Sequence, residues 1–171
     1  DHISDYFFAP TVNSEKILQS EGITKNIHIV GDVSNDVLMH NLPKAELQSN
    51  FLSTNNLSAK TYFLLTIHKS KNTDSKKNLT AIIDALSCIK EQMIFPTHPR
   101  TRKMLEEYGL IDKINNSSIE LIEPLTYYDM IVALKNAKKI VTDSGGIQKE
   151  AYALQVPCIT MRKTEWIETV A

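Results

Sequence analysis

Seven short apolar runs, each separated from the next by enough chain for a turn and a helix, constrain this chain more than any other feature. They are Tyr6-Phe7-Phe8-Ala9, Ile27-His28-Ile29-Val30, Tyr62-Phe63-Leu64-Leu65, Met93-Ile94-Phe95, Ile119-Glu120-Leu121-Ile122, Ile140-Val141 and Cys158-Ile159-Thr160. Runs this short, rich in β-branched and aromatic residues, read as buried strands. The segments between them carry a helical period. Leu79, Ile82, Ile83, Leu86 and Ile89 form an apolar stripe whose other face shows Thr80, Asp84 and Lys90. Asn13-Ser14-Glu15 opens a second helix that stops near Gly22, Thr101 to Tyr108 is a third ended by Gly109, and Met130, Ile131, Leu134 and Ala137 mark a fourth. Strands alternating with helices predict an α/β class, a Rossmann-like parallel sheet flanked by helices on both faces. No internal repeat or low-complexity tract competes with that reading.

Polar residues thicken between Asn35 and Lys60, notably at Asn50 and Ser53-Thr54-Asn55-Asn56, and Pro43 interrupts the local periodicity. Residues 34–60 are therefore expected to be a crossover between the tail of one domain, residues 1–33, and most of another, residues 61–171. The chain starts at Asp1 without a methionine and ends at Ala171 within an apparent helix start, so a fragment is expected. With 171 residues and 42% hydrophobic content it can bury a real core. A net charge of -1 argues against a basic nucleic-acid face or a polybasic membrane surface. Cys88 and Cys158 lie in apolar surroundings and form no CxxC pair, which predicts two packed thiols in a reducing compartment. No apolar run approaches the ~20 residues that span a bilayer, and the first residues lack a signal-peptide pattern, so the expected setting is the cytoplasm.

In open α/β sheets ligands sit beyond the carboxyl ends of the strands, and three polar clusters fall there: His68-Lys69-Ser70-Lys71-Asn72, His98-Pro99-Arg100 and Asp143-Ser144-Gly145-Gly146. Ser144-Gly145-Gly146 between a strand and a helix fits a diphosphate cradle built from backbone N–H groups and the helix dipole. It fits equally a plain Ser N-cap in a tight turn. A third reading, Asp143 as a phospho-acceptor, lacks the acidic pair at an early strand end that would hold Mg²⁺. Glu150, a turn into the helix, is placed either to accept from a ribose diol or to be solvated on the helix surface. His68 and His98 occupy equivalent strand ends, where an imidazole can donate to phosphate or supply a proton, or stand as a surface loop residue. Lys69, Lys71, Arg100 and Arg102 add local positive charge. Arg162, Glu165 and Glu168 follow the last strand and line the same edge, while Met130 and Trp166 read as packing residues. No histidine, cysteine or carboxylate set has metal-ligand spacing, so neither a metal nor a cofactor is expected.

Read in order, Asp1-His2-Ile3-Ser4-Asp5, Phe8-Ala9-Pro10-Thr11, Val30-Gly31-Asp32-Val33, Thr66-Ile67-His68, Asn72-Thr73-Asp74, His98-Pro99, Asp143 to Ala151 and Arg162-Lys163-Thr164-Glu165 resemble the non-hydrolysing UDP-N-acetylglucosamine 2-epimerase family over nearly the whole chain. The resemblance implies the second domain of a GT-B-like two-domain fold, with UDP held mainly by that domain. Carried over by motif, Ser144, Gly145 and Gly146 would hold the phosphates and Glu150 the ribose. His68 would lie beside the diphosphate as the catalytic candidate. Leu125 and Met130 would border the uracil, and Arg162 would complete the UDP site. Lys69, His98 and Arg100 would line the cleft or a second site.

The segment Lys69-Ser70-Lys71-Asn72-Thr73-Asp74 departs from the family's commonest pattern, whereas His98-Pro99-Arg100-Thr101-Arg102-Lys103, Lys149-Glu150-Ala151-Tyr152 and Thr164-Glu165-Trp166 look more like the subgroup acting on modified UDP-HexNAc sugars such as diacetamido-uronates. The implied mechanism removes the C2 proton, eliminates UDP to a glycal and re-adds it on the other face. The family's acid/base carboxylates lie upstream of Asp1, so residues 1–171 alone are expected to be inactive. The resemblance further implies a UDP-HexNAc substrate, a homodimer, and a role in cell-surface polysaccharide precursor synthesis. A GT-B glycosyltransferase donor domain and a non-catalytic nucleotide-sugar binding module remain alternatives at this level.

Overall fold

A computed structural model describes residues 3–162 and Thr169. The chain divides into two compact units, Asp1–His40 and Asn41–Ala171. The first carries β1 (Phe7–Ala9), α1 (Val12–Ser20), β2 (Ile27–Ile29) and the start of α2 (Val33–Gln48). Strands β1 and β2 pair in parallel, with Phe8 opposite His28. Helix α1 starts where the Thr11 side chain accepts from the Ser14 N–H, and it ends before Gly22, whose φ of +88° suits a residue without a Cβ.

Helix α2 runs through the segment read as a crossover, with Pro43 inside it. Proline there has no N–H for the carbonyl of Met39, a local cost that a helix tolerates when the rest of its bonds are made. The unit boundary falls within this helix, after His40. Helix α3 (Phe51–Thr54) follows.

The second unit continues with β3 (Phe63–Thr66), α4 (Ser70–Thr73), α5 (Lys76–Ser87), β4 (Met93–Pro96), α6 (Pro99–Glu107) and α7 (Ile111–Asn115). It then adds β5 (Ile119–Ile122), α8 (Tyr127–Asn136), β6 (Lys139–Thr142), α9 (Gly145–Ala153) and β7 (Cys158–Thr160). The five strands form a sheet in the order β5-β4-β3-β6-β7, every pair parallel. The α/β reading is therefore right in class and in strand direction. Side chains alternate across the sheet. Phe63, Leu65 and Ile67 join Leu79, Ile83, Leu105 and Ile114 in one buried cluster, with α5, α6 and α7 on that face. On the other face Tyr62, fully buried, donates from its hydroxyl to the Ala133 carbonyl in α8 and meets Phe51 of α3 edge-on. Burial without an ionic partner pushes the Tyr62 hydroxyl well above its ordinary value.

Several sequence readings shift. Helix α6 starts two residues earlier than Thr101, because Pro99 sits at its first position, where the missing N–H costs nothing. Cys88 is exposed at the end of α5, and Cys158 is half-buried, so neither is the packed core thiol expected. The apolar residues near Cys88 in sequence point to the helix's other face. Among the described residues, no helix is long and apolar enough to cross a membrane.

Candidate functional site

The centre of the site is a carboxylate. Asp143 follows β6 directly and is fully buried. Its Oδ1 accepts from the His68 N–H at 3.1 Å, and its Oδ2 accepts from the Lys69 N–H at 3.0 Å and from Asn72 Nδ2 at 2.9 Å. A buried carboxylate is tolerable only with such donors, and here both oxygens have them. That excludes the phospho-acceptor reading, which needs an oxygen open to an incoming phosphoryl group. Among the described residues, no group of three or more His, Cys, Asp or Glu side chains could hold a metal ion.

Beside Asp143, the Ser144 side chain accepts from the Ile147 N–H at 3.4 Å and caps α9. The two readings of this turn are compatible. Ser144 is a helix cap, and the N–H groups of Gly145 and Gly146 are first-turn donors that no carbonyl of the helix can accept. Glu150 lies one turn beyond Gly146 on the same face, about 6 Å along the axis. It is half-buried, and burial raises its carboxyl above the ordinary value of 4.5 against an opposing pull from Lys149. Tyr127, the first residue of α8, is close enough to feel that carboxylate. Its hydroxyl is raised by burial first, and then by Glu150 and Tyr128. Nothing in the sequence pairs Tyr127 with Glu150. Only the packing of α8 against α9 does so.

His68 leaves the carboxyl end of β3 with its ring half-exposed, and Nδ1 stands 4.0 Å from Asp143 Oδ1. It is held through its backbone, since 4.0 Å is too long for a ring hydrogen bond. Lys69 precedes α4 and is exposed. Arg162 follows Met161, whose N–H donates to the Thr142 carbonyl and whose own carbonyl accepts from Asn72 at 3.3 Å. The ends of β3, β6 and β7 are thus fastened to one another, which brings His68, Ser144 and Arg162 to one sheet edge.

The end of β4 differs. His98 caps α6, its Nδ1 accepting from the Arg100 N–H at 3.2 Å. Arg100 places Nη2 at 2.8 and 2.6 Å from the two carboxylate oxygens of Asp74, and Thr101 donates to the Ile67 carbonyl. Leu125 helps line a cavity of about 420 Å³ with Gln48, Asn50, Phe51 and Asp129, whereas Met130 does not line it. Lys163, Thr164, Glu165, Trp166 and Glu168 lie outside the described residues.

The chain is similar to known proteins over nearly its whole length. The family model for UDP-N-acetylglucosamine 2-epimerase matches residues 1–171. A UDP-N-acetylglucosamine 2-epimerase homolog of Methanococcus maripaludis is 51% identical over 99% of this chain and 48% of its own length. A UDP-2,3-diacetamido-2,3-dideoxy-D-glucuronate 2-epimerase of Pseudomonas aeruginosa is 36% identical over 99% of this chain and 47% of its own. The crystal structure of Methanocaldococcus jannaschii UDP-GlcNAc 2-epimerase, in complex with UDP-GlcNAc and UDP, superimposes with a TM-score of 0.88 at 42% identity. That superposition covers 96% of this chain and 47% of the other. The chain spans about half the length of the curated relatives it matches.

Proposed function

This chain belongs to the UDP-N-acetylglucosamine 2-epimerase family, and from that premise we propose that it is the UDP-binding part of an enzyme that inverts C2 of a UDP-HexNAc. The observation that carries the reading is the arrangement on α9: first-turn N–H donors at Gly145 and Gly146 that no carbonyl of the helix can accept, and a half-buried carboxylate one turn deeper at Glu150. A diphosphate at the helix N-terminus and a ribose diol at Glu150 match that spacing. Leu125 and Met130 border the uracil, and Arg162 adds charge from the end of β7.

In the reaction, a base takes the C2 proton, the C1–O bond breaks, and UDP leaves with the electron pair to give a glycal. Returning the proton to the other face of C2, as the diphosphate oxygen re-forms its bond to C1, yields the epimer. The residues of this chain serve the departing charge. The α9 dipole and its N–H groups, with His68 beside them, stabilise a diphosphate that becomes more negative as the bond breaks, and donors already in place need no reorganisation at that moment. The proton-moving carboxylates belong to the remainder of the protein. The remaining parts of the proposal are a homodimer, a cytoplasmic setting, a role in cell-surface polysaccharide precursors, and UDP-GlcNAc or a diacetamido relative as substrate.

The test is incubation of the complete protein with UDP-GlcNAc in D₂O, followed by NMR. The expected result is deuterium at C2 together with the C2 epimer. Sugar transfer to an acceptor without C2 exchange would overturn the reading in favour of a glycosyltransferase donor domain.

A further inference from the structure

We propose that Asp143, seconded by Asn72, is a positioning residue that holds the His68 loop against the phosphate cradle, an inference that rests on the UDP-epimerase reading above. Asp143 touches no site reserved for ligand, because it is fully buried and its oxygens face protein donors. Those donors are consecutive backbone N–H groups of the loop after β3 and the side chain of Asn72. The same Asn72 amide bridges to the Met161 carbonyl at 3.3 Å, one residue before Arg162. One carboxylate, next in sequence to Ser144, therefore fixes three strand ends that meet only through the fold, across 75 residues in the case of His68.

A carboxylate suits this task and its amide does not. Every partner of Asp143 is a donor. An asparagine would keep one acceptor and turn a donor toward N–H groups, so at least one of the loop N–H groups would lose its partner inside the fold. The loop would then be released while α9 kept its own first-turn donors. Ground-state UDP binding should survive that change better than alignment of His68 with the breaking bond, and a displacement of about 1 Å at a reacting centre costs on the order of 10²-fold in rate.

The experiment uses the complete protein and three variants, Asp143→Asn, His68→Ala and the double variant, with Asn72→Ala as a gentler version should Asp143→Asn fold poorly. Expected for Asp143→Asn is a kcat lowered about 10²-fold with KM for UDP-GlcNAc changed by only about threefold, and for the double variant no loss beyond that of His68→Ala. Amide hydrogen exchange across residues 68–72 should accelerate in Asp143→Asn and, to a lesser extent, in Asn72→Ala. Losses that multiply independently in the double variant, or unchanged exchange at residues 68–72 in a folded variant, would overturn the inference. If the wild-type protein shows no C2 exchange, the epimerase reading fails by itself. The exchange measurement then still decides whether Asp143 holds the loop.

Discussion

The two sheets begin from the same kind of sequence and end in different states. Strands β1 and β2 and strands β3 and β4 are all short apolar runs followed by helices. In the two-stranded sheet, however, Phe8 is 69% exposed and Ile29 49%, whereas Leu64 and Ile94 in the five-stranded sheet are fully buried. The difference teaches that an apolar run specifies a strand but not its burial. Burial requires neighbours on both edges and helices on both faces, and only the second unit supplies them among the described residues. It also sets where chemistry sits. The candidate site lies at the carboxyl edge of the five-stranded sheet, where partial burial can coexist with the first-turn N–H donors of α9.

The contrast breaks most visibly if the core is emptied. Leu64→Ala in residues 1–171 should lose about 3 kcal/mol in denaturant unfolding, since the packed core of the five-stranded sheet cannot collapse around the hole. An effect below about 1 kcal/mol would mean that this sheet is no better packed than the other. Next in size is the site. In the complete protein, Glu150→Gln should weaken UDP binding by roughly tenfold to a hundredfold, the worth of a hydrogen bond to a charged acceptor. Calorimetry showing equal affinity would remove the ribose role.

The same substitution carries a pH signature. Because burial raises the Glu150 carboxyl in the folded chain, the folded state holds its proton more tightly than the unfolded state does. Its contribution to stability is best below the ordinary value of 4.5 and is lost as pH rises through the higher folded value. Wild type should therefore gain on Glu150→Gln as pH falls, with the variant the more stable of the two near neutrality. Thermal melts that run parallel at all pH values would show that the carboxylate is not desolvated.

Smaller effects compare like with like across the two units. Ser144→Ala removes the cap of α9, and Thr11→Ala removes the cap of α1. Each should cost about 1 kcal/mol, and the Ser144 change should be the larger because α9 packs on the five-stranded sheet. Phe8→Ala should move the stability of residues 1–171 by no more than about 0.5 kcal/mol, the usual range for an exposed position. If the same change in the complete protein costs as much as Leu64→Ala, the apolar face of the first sheet is covered there.

The strands and the main helices were legible because their signals are local. The Leu79, Ile83 and Leu86 stripe of α5 and the caps at Ser144 and Gly22 each span less than three turns of chain, whereas the start of α1 at Thr11 lies two residues before the Asn13 expected. Helix α2 was not legible, since Pro43 and a polar composition outweigh its pattern, and a helix with one missing bond is decided by all the others. Nor was the surface position of Cys88, which depends on which face of α5 meets the sheet. At the candidate site, Ser144, Gly145, Gly146 and Glu150 could be picked out from spacing along one helix. The partner of the Arg100 side chain could not, because Asp74 reaches it from 26 residues away.

What the sequence by itself determined about this protein is therefore its α/β class, the positions of its turns and caps, and the residue types gathered beyond its strand ends. These follow from backbone periods and from side chains that bond to their near neighbours. What only the tertiary structure decided is which strand ends meet. The order β5-β4-β3-β6-β7 places β3 beside β6, so that a buried Asp143 can satisfy the backbone N–H groups of His68 and Lys69. No local pattern carries that fact, because it is the demand of a desolvated carboxylate for donors, met across the fold, that joins the two loops.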